Sequence, residues 1–293
     1  MYSKGTFGDC CCMLTQKRIN GDEQLGAHST VRIVTLLSDF GAKEGYAAQM
    51  KGVILDKCPD AVVVDISHGI ERHNIPMGSF ILETTVSFFP SGTIHVAVVD
   101  PGVGSARKAI AIECQGGILV GPDNGLMARA SGKLGLKSIY EIHEQEFLRK
   151  PVSSTFHGRD VFARVAGMIA SGRRAEEVGP RIPELERLPI SPPRLQEKKL
   201  LCQVLHVDTF GNVITDADDK LVRRIRLEFG DPVNIWLGKR KLQAQYASSY
   251  HEVGKGAMAV LLGSQGFLEI AVREGSARDK LHVKPLDKLE LRF

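Results

Sequence analysis

Residues 31–39 read VRIVTLLSD, a β-branched and aliphatic run that ends in an acid and is followed by Phe40 and Gly41. Such side chains suit a pleated backbone, so the run reads as a β-strand. The same design returns at 61–67, AVVVDIS, and at 93–100, TIHVAVVD. Between these runs, residues 46–57 and 75–89 carry helical periodicity, the second stopped by Pro90. Strands alternating with helices predict an α/β domain with a largely parallel sheet. Further on, residues 109–114 and 118–120 read as a hairpin, and 159–171 as a helix that starts just after His157 and Gly158.

The texture changes between Pro180 and Pro193, which hold five of the chain's 13 prolines. Proline removes a backbone donor and fixes φ, so this stretch is neither a helix nor a central strand. The organisation expected is an N-terminal extension over 1–30, an α/β domain over 31–180, a proline-rich linker over 181–198 and a smaller all-β barrel domain over 199–293. The barrel rests on short strands at 200–207, 232–237, 257–262, 267–272 and 289–293, separated by glycines and charged turns. Residues 1–30 are polar and aperiodic and read as a disordered tail with no secretory h-region.

Composition narrows the function. With 293 residues, 43% hydrophobic and 25% charged, the chain is an ordinary globular protein rather than a disordered or fibrous one. The net charge of +4 comes without a long basic segment, which argues against nucleic acid as partner. No apolar run approaches the ~20 residues that span a bilayer, so no membrane partner is expected. The six cysteines include no CxxC pair and read as reduced thiols of a cytoplasmic protein.

In an open parallel sheet, ligands bind beyond the carboxyl ends of the strands. Here three successive strands end near an acid: Asp39, Asp65 and Asp100. A single aspartate there commonly caps a turn, and three in succession point to a site. Residues 121–125, GPDNG, are turn chemistry, whereas 153–160, SSTFHGRD, place hydroxyls and an imidazole before a helix. Beyond the linker, 207–212 (VDTFGN) and 263–267 (GSQGF) offer acid, aromatic, amide and hydroxyl groups at strand ends. No Walker loop, dinucleotide fingerprint, GxSxG or HExxH occurs. Asp65, His68, Arg72 and His73 could mimic a metal cluster, but the interposed arginine suits no dication, so no metal is expected.

These motifs together resemble the S-adenosyl-L-methionine (SAM) hydroxide adenosyltransferases, or SAM hydrolases, relatives of the SAM-dependent fluorinase and chlorinase. The resemblance runs from Ile33 to Phe293 through SDFG, DISHGIERHNI, VDPGVG with Arg107 following, GPDNGL, SSTFHGRDVFA, VDTFGNVITD and GSQGFLEIAV, in one order. It implies hydrolysis of SAM to adenosine and L-methionine, with SAM as substrate and no cofactor. It implies a triad of Asp100, Arg107 and His157 serving a water that attacks ribose C5′. It further implies Asp39 on the ribose diol, Asp208 on the methionine ammonium, Ser264 on its carboxylate, and Phe210 and Asn212 near adenine. The resemblance also implies a homotrimer, with each site at a subunit interface. Val103 and Gly158 stand where the fluorinase carries hydroxyl-bearing residues, which argues against halide use. The rival expectations are a SAM- or adenosine-binding module without turnover and a halogenating transferase. With no ligand cluster of convincing spacing, full activity is expected to survive EDTA; loss restored by Mg²⁺ or Zn²⁺ would instead make Asp65, His68 and His73 metal ligands.

Overall fold

The computed structural model describes residues 32–143, 145–148 and 150–293; the expected 1–30 extension and Cys10, Cys11 and Cys12 lie outside them. The first half of the chain runs β1 (Ile33–Ser38), α1 (Tyr46–Lys57), β2 (Val62–Ser67), α2 (Ile75–Val86), β3 (Thr93–Val98), β4 (Ala109–Cys114), β5 (Gly117–Pro122), α3 (Ala128–Leu134), β6 (Leu136–Glu141), α4 (Arg164–Ala170) and β7 (Arg181–Ile182). These seven strands form one sheet in the order β2-β1-β3-β5-β4-β6-β7. The first four are mutually parallel, and β4, β6 and β7 join antiparallel.

Alternation along the central strands builds two cores. Val34, Leu36, Val96 and Val98 face α1 and α4, packing on Met50, Ile54, Val165 and Ile169. Their neighbours Leu37, Ala97 and Val99 face the opposite way, toward Leu82, Val86, Leu126 and Ala130 of the α2–α3 side. A strand apolar on both faces is thus the sequence signature of a sheet sandwiched between helices.

The second half runs β8 (Arg194–Gln196), β9 (Lys199–Val207), β10 (Val213–Asp218), α5 (Asp219–Arg223), β11 (Pro232–Leu237), β12 (Arg240–Tyr246), β13 (Met258–Leu262), β14 (Phe267–Val272), α6 (Ala277–Leu281) and β15 (Lys288–Arg292). Its sheet runs β10-β14-β13-β12-β11-β15-β9 and closes through β10–β9 pairing into a seven-strand barrel, with β8 attached to β9. Between Ile182 and Arg194 the prolines stand outside every element.

Strands β6, β7, β8, β10 and β12 escape the sequence reading. In β12, RKLQAQY, only Leu242, Ala244 and Tyr246 face inward, and the polar alternate residues mask the period. Helix α2 ends at Val86 rather than 89, and the turn through Ser87–Phe89 sets up Pro90, which disfavours a helical residue before it.

The barrel docks on the α/β unit through Phe80 of α2, which packs on Leu205, Ile214 and Phe267 and stacks on His206 with centroids 5.2 Å apart. Arg129 pairs with Glu83 at 2.5 Å and lies over the Phe267 ring. Cys58, Cys114 and Cys202 are buried free thiols; burial pushes Cys114 up to about 12, and Cys202 well above the usual thiol range. No helix among the described residues is long and apolar enough to cross a membrane.

Candidate active site

The chain passes from β1 to β2 on one side of the sheet and then to β3 on the other. The crevice beyond β1 and β3 is therefore a topological switch point, where open α/β sheets bind ligands. Asp39 follows β1 and Asp100 follows β3 closely, and both line a cleft of about 400 Å³ with Phe40, Tyr46, Arg72, His73, Val103, Thr155, Phe156, His157 and Gly158. Asp65, on the outer strand β2, is not in it. Its carboxylate accepts from Lys51 Nζ at 2.6 Å and meets His68 Nε2 at 3.1 Å, while His68 Nδ1 meets Ser38 Oγ at 2.7 Å. Among the described residues no group of three acidic, histidine or cysteine side chains is placed to hold a metal.

Arg107 joins the three residues expected to act together. Its Nε and one terminal nitrogen donate to the two oxygens of Asp100, at 3.0 and 2.5 Å, and the same terminal nitrogen lies 2.8 Å from His157 Nδ1. The side chains of Arg107 and Asp100 are only 11% and 6% exposed, so the pair is screened from water on most sides. A guanidinium has donors and no acceptor. His157 Nδ1 therefore accepts, and the imidazole is neutral with its proton on Nε2. Burial and then the Arg107 charge both lower the His157 pKa, outweighing the pull of Asp100 and Asp160.

The loop that carries His157 is pinned from below. Asp160 is fully buried, accepts from the Ser153 amide at 2.9 Å, and pairs with Arg159, whose other arm reaches Gln49 at 2.9 Å. The helix expected from 159 opens instead as a π-helix over Gly158–Ala163 before becoming α4. Such widened turns recur at functional sites. Phe40, Tyr46 and Phe156 meet edge-on at 5.2–5.9 Å and wall the cleft. A Cβ at Gly158 would lie 3.2 Å from ring carbons of both Phe156 and Phe40, so a hydroxyl-bearing side chain there would displace a ring. Asp39 accepts the His73 amide at 2.9 Å. The GPDNG turn is a brace: Asn124 donates to the Val99 carbonyl, and Asp123 accepts the Glu186 amide.

The remaining candidates lie in a second cleft, of about 610 Å³, on the barrel. Asp208, Phe210, Asn212 and Ser264 line it together with Tyr250, Gln265, Glu269 and Arg273. The two clefts share no lining residue. Asp208 shapes its own loop, accepting the amides of Phe210 and Asn212 and the Asn212 side-chain nitrogen, each at 2.9 Å. Gly211 turns at φ 83°, and a Cβ there would fall 2.3 Å from Ser276 Oγ, so only glycine fits. Phe210 is 79% exposed, an aromatic face with no cover. Sequence reading missed the cleft residues Tyr250 and Glu269, which sit outside the turn motifs that drew attention.

Comparison with known proteins agrees with this two-part layout. Residues 34–179 match the SAM hydroxide adenosyltransferase N-terminal domain, and residues 202–290 match the corresponding C-terminal domain. The chain is 38% identical over 271 residues to the (R)-S-adenosyl-L-methionine hydrolase of Methanocaldococcus jannaschii, covering 88% of this chain and 95% of that one. A fluorinase of Nocardia brasiliensis is 26% identical over 268 residues, covering 82% of this chain and 89% of the fluorinase. A crystal structure of an uncharacterized conserved protein from Thermotoga maritima superposes with a TM-score of 0.85 at 36% identity, covering 89% of this chain and all of that one.

The triad geometry fixes a titration. His157 should protonate below the ~6.5 of a free imidazole, because the protonated ring would bury a second cation against Arg107. Arg107→Ala should move that midpoint upward, since the remaining charges, Asp100 and Asp160, favour imidazolium. NMR titration of the His157 ring checks both. A midpoint above 6.5 in the unmodified protein, or a downward shift in the variant, contradicts the assigned hydrogen bond.

Proposed function

The chain belongs to the SAM hydroxide adenosyltransferase family, and on that premise we propose that it hydrolyses S-adenosyl-L-methionine to adenosine and L-methionine, with Asp100, Arg107 and His157 serving the attacking water. The observation that carries the role of these residues is Arg107 donating to Asp100 and His157 at once. That leaves two unlike groups facing the cleft: a carboxylate with spare lone pairs and an imidazole with a spare N–H. A water that donates to Asp100 and accepts from His157 Nε2–H keeps one lone pair free to point at ribose C5′.

The chemistry then balances without a cofactor. The water oxygen forms a bond to C5′ as the C5′–S bond breaks, and its electron pair leaves on sulfur as neutral methionine. The water proton passes to Asp100 and on to solvent. In-line placement of this kind can contribute up to ~7–11 kcal/mol. Negative charge building on oxygen meets Arg107 and the His157 donor in a screened cleft, where fixed dipoles act strongly. Hydroxide and sulfonium charges cancel as they approach, which a dry wall of aromatic rings favours. Asp39, beside the triad, suits the ribose diol.

Halogenation is the weaker reading. A side chain at Gly158 would crowd the rings of Phe40 and Phe156, Val103 lines the same wall without a hydroxyl, and the fluorinase relatives are the more distant ones. A binding module without turnover would have no use for a half-buried, fully connected triad.

The complete site is proposed to form between two subunits of a homotrimer in the cytoplasm. Support comes from the two clefts on one chain, each holding half of the expected ligand contacts and sharing no residue, and from the bare Phe210 ring. Head-to-tail contact between unlike patches closes a ring. The test mixes His157→Ala with Asp208→Ala after dissociation and reassembly. Each alone should release adenosine from SAM about 10²-fold or more slowly. In a 1:1 mixture, chance assembly gives about a quarter of sites both halves intact, so activity should recover to that order. Mixed oligomers without recovery, or an active monomer by light scattering, would overturn the shared site.

A further inference from the structure

A histidine outside the cleft is wired to an acid inside it. The β1–β2 register slips after Leu36, which faces Asp65, so that Leu37 faces Ser67 and Ile66 is an extra residue in β2. Such a bulge bends the strand and re-aims the side chains beyond it. Here His68 turns back toward β1, where its Nδ1 lies 2.7 Å from Ser38 Oγ. Its Nε2 lies 3.1 Å from one Asp65 oxygen, and Lys51 donates to the other at 2.6 Å.

Asp65, His68 and Ser38 stand in the order of a nucleophilic triad, but Ser38 is fully buried, so no substrate reaches its hydroxyl. The relay acts inward instead. Against burial, the hydrogen bonds of Lys51 and His68 hold the Asp65 carboxyl below the usual range. As a carboxylate it only accepts, which puts a proton on His68 Nε2. Among the described residues the Ser38 hydroxyl has one acceptor, His68 Nδ1, and its oxygen accepts the Phe40 amide at 3.3 Å. The His68 carbonyl accepts the Gly41 amide at 2.8 Å. His68 therefore fastens residues 38, 40 and 41, on both sides of Asp39.

The Asp39 carboxylate is held from the same loop. His73 takes a left-handed φ of 62°, uncommon for a residue other than glycine, and donates its amide to Asp39 Oδ2 at 2.9 Å. Nothing among the described residues donates to Asp39 Oδ1, and Asp39 lines the cleft. A carboxylate that accepts from two ribose hydroxyls has to stand in one place, because a displacement of about 1 Å costs about 10²-fold at a reacting centre. We infer that His68 is a positioning residue for this site: through Ser38 and its own carbonyl it holds Asp39 where the carboxylate receives the ribose diol, and so sets C5′ against the triad. The inference rests on the reading of the protein as a SAM hydrolase with Asp39 on the ribose, and adds what fixes that contact.

Calorimetry with adenosine and with 2′,3′-dideoxyadenosine, on the full-length protein, His68→Leu and His68→Asn, tests it without turnover. Asparagine keeps an acceptor near the place of Nδ1, and leucine does not. His68→Leu should weaken adenosine about 10-fold or more, the range of a charged hydrogen bond, and leave dideoxyadenosine within about twofold. His68→Asn should recover most of the adenosine affinity. Ser38→Ala should show the same selective loss and replaces His68→Leu if that variant does not fold. Equal losses on both nucleosides, no loss on adenosine, a His68→Asn protein as weak as His68→Leu, or an unaltered protein that binds both nucleosides alike would overturn the inference. If the unaltered protein prefers adenosine yet releases none from SAM, it is the hydrolase reading that fails, and the positioning role is still decided by the two nucleosides.

Discussion

Arg107 carries only donors, and it is set between a carboxylate and an imidazole nitrogen that both need them. Its two bonds to Asp100 and one contact to His157 tie the end of β3 to the loop before the π-helix, two segments far apart in sequence. Removing it would strand a nearly buried carboxylate, a loss of about 3–5 kcal/mol for a broken buried pair. Much of the surrounding structure serves to hold this cation. Phe162 lies under its guanidinium at 5.3 Å, Asp160 and Arg159 lock the loop, and the parallel sheet brings the ends of β1 and β3 side by side. The tautomer of His157 follows from the arrangement, because a guanidinium can only donate to its Nδ1.

The same economy explains why one chain holds two separate half-sites. A parallel sheet places acids at its switch point, which suits a reacting centre. A small barrel places loops at its rim, which suits recognition of a flexible amino-acid tail. On a single chain the joint between the units is spent on Phe80, Leu205, Ile214 and Phe267, of which only Ile214 also lines a cleft, the one on the barrel. The proposed shared site would join the two clefts across copies, with the exposed Phe210 ring at the rim of the barrel cleft.

Much of this was legible in the chain. Runs rich in β-branched and aliphatic residues, alternating with helical stretches, announced a parallel sheet, and β1, β2 and β3 lie where the runs predicted. Asp39 and Asp100 were found because a parallel topology makes strand ends informative; Asp65 looked the same and differs only in belonging to the outer strand, a matter of strand order that no local pattern encodes. Strand β12 hid behind its lysine and glutamines, and β10 behind Asp216 and Asp218, because barrel strands need only alternate residues to be apolar. The π-helix was invisible, since its side-chain period is close to that of an ordinary helix over one turn. Glu269 was passed over because a glutamate in an apolar strand reads as an outward-facing residue until the barrel closes and the cleft appears on that side.

The central claim is that a water held by Asp100 and His157 attacks carbon C5′. Incubation of the protein with SAM in H₂¹⁸O, followed by mass spectrometry of the nucleoside, tests it directly. The account predicts adenosine carrying one ¹⁸O at the 5′-hydroxyl, formed in equal amount with unlabelled methionine. Adenosine without the label, or loss of free adenine in its place, would contradict attack at C5′ and with it the assignment of the triad.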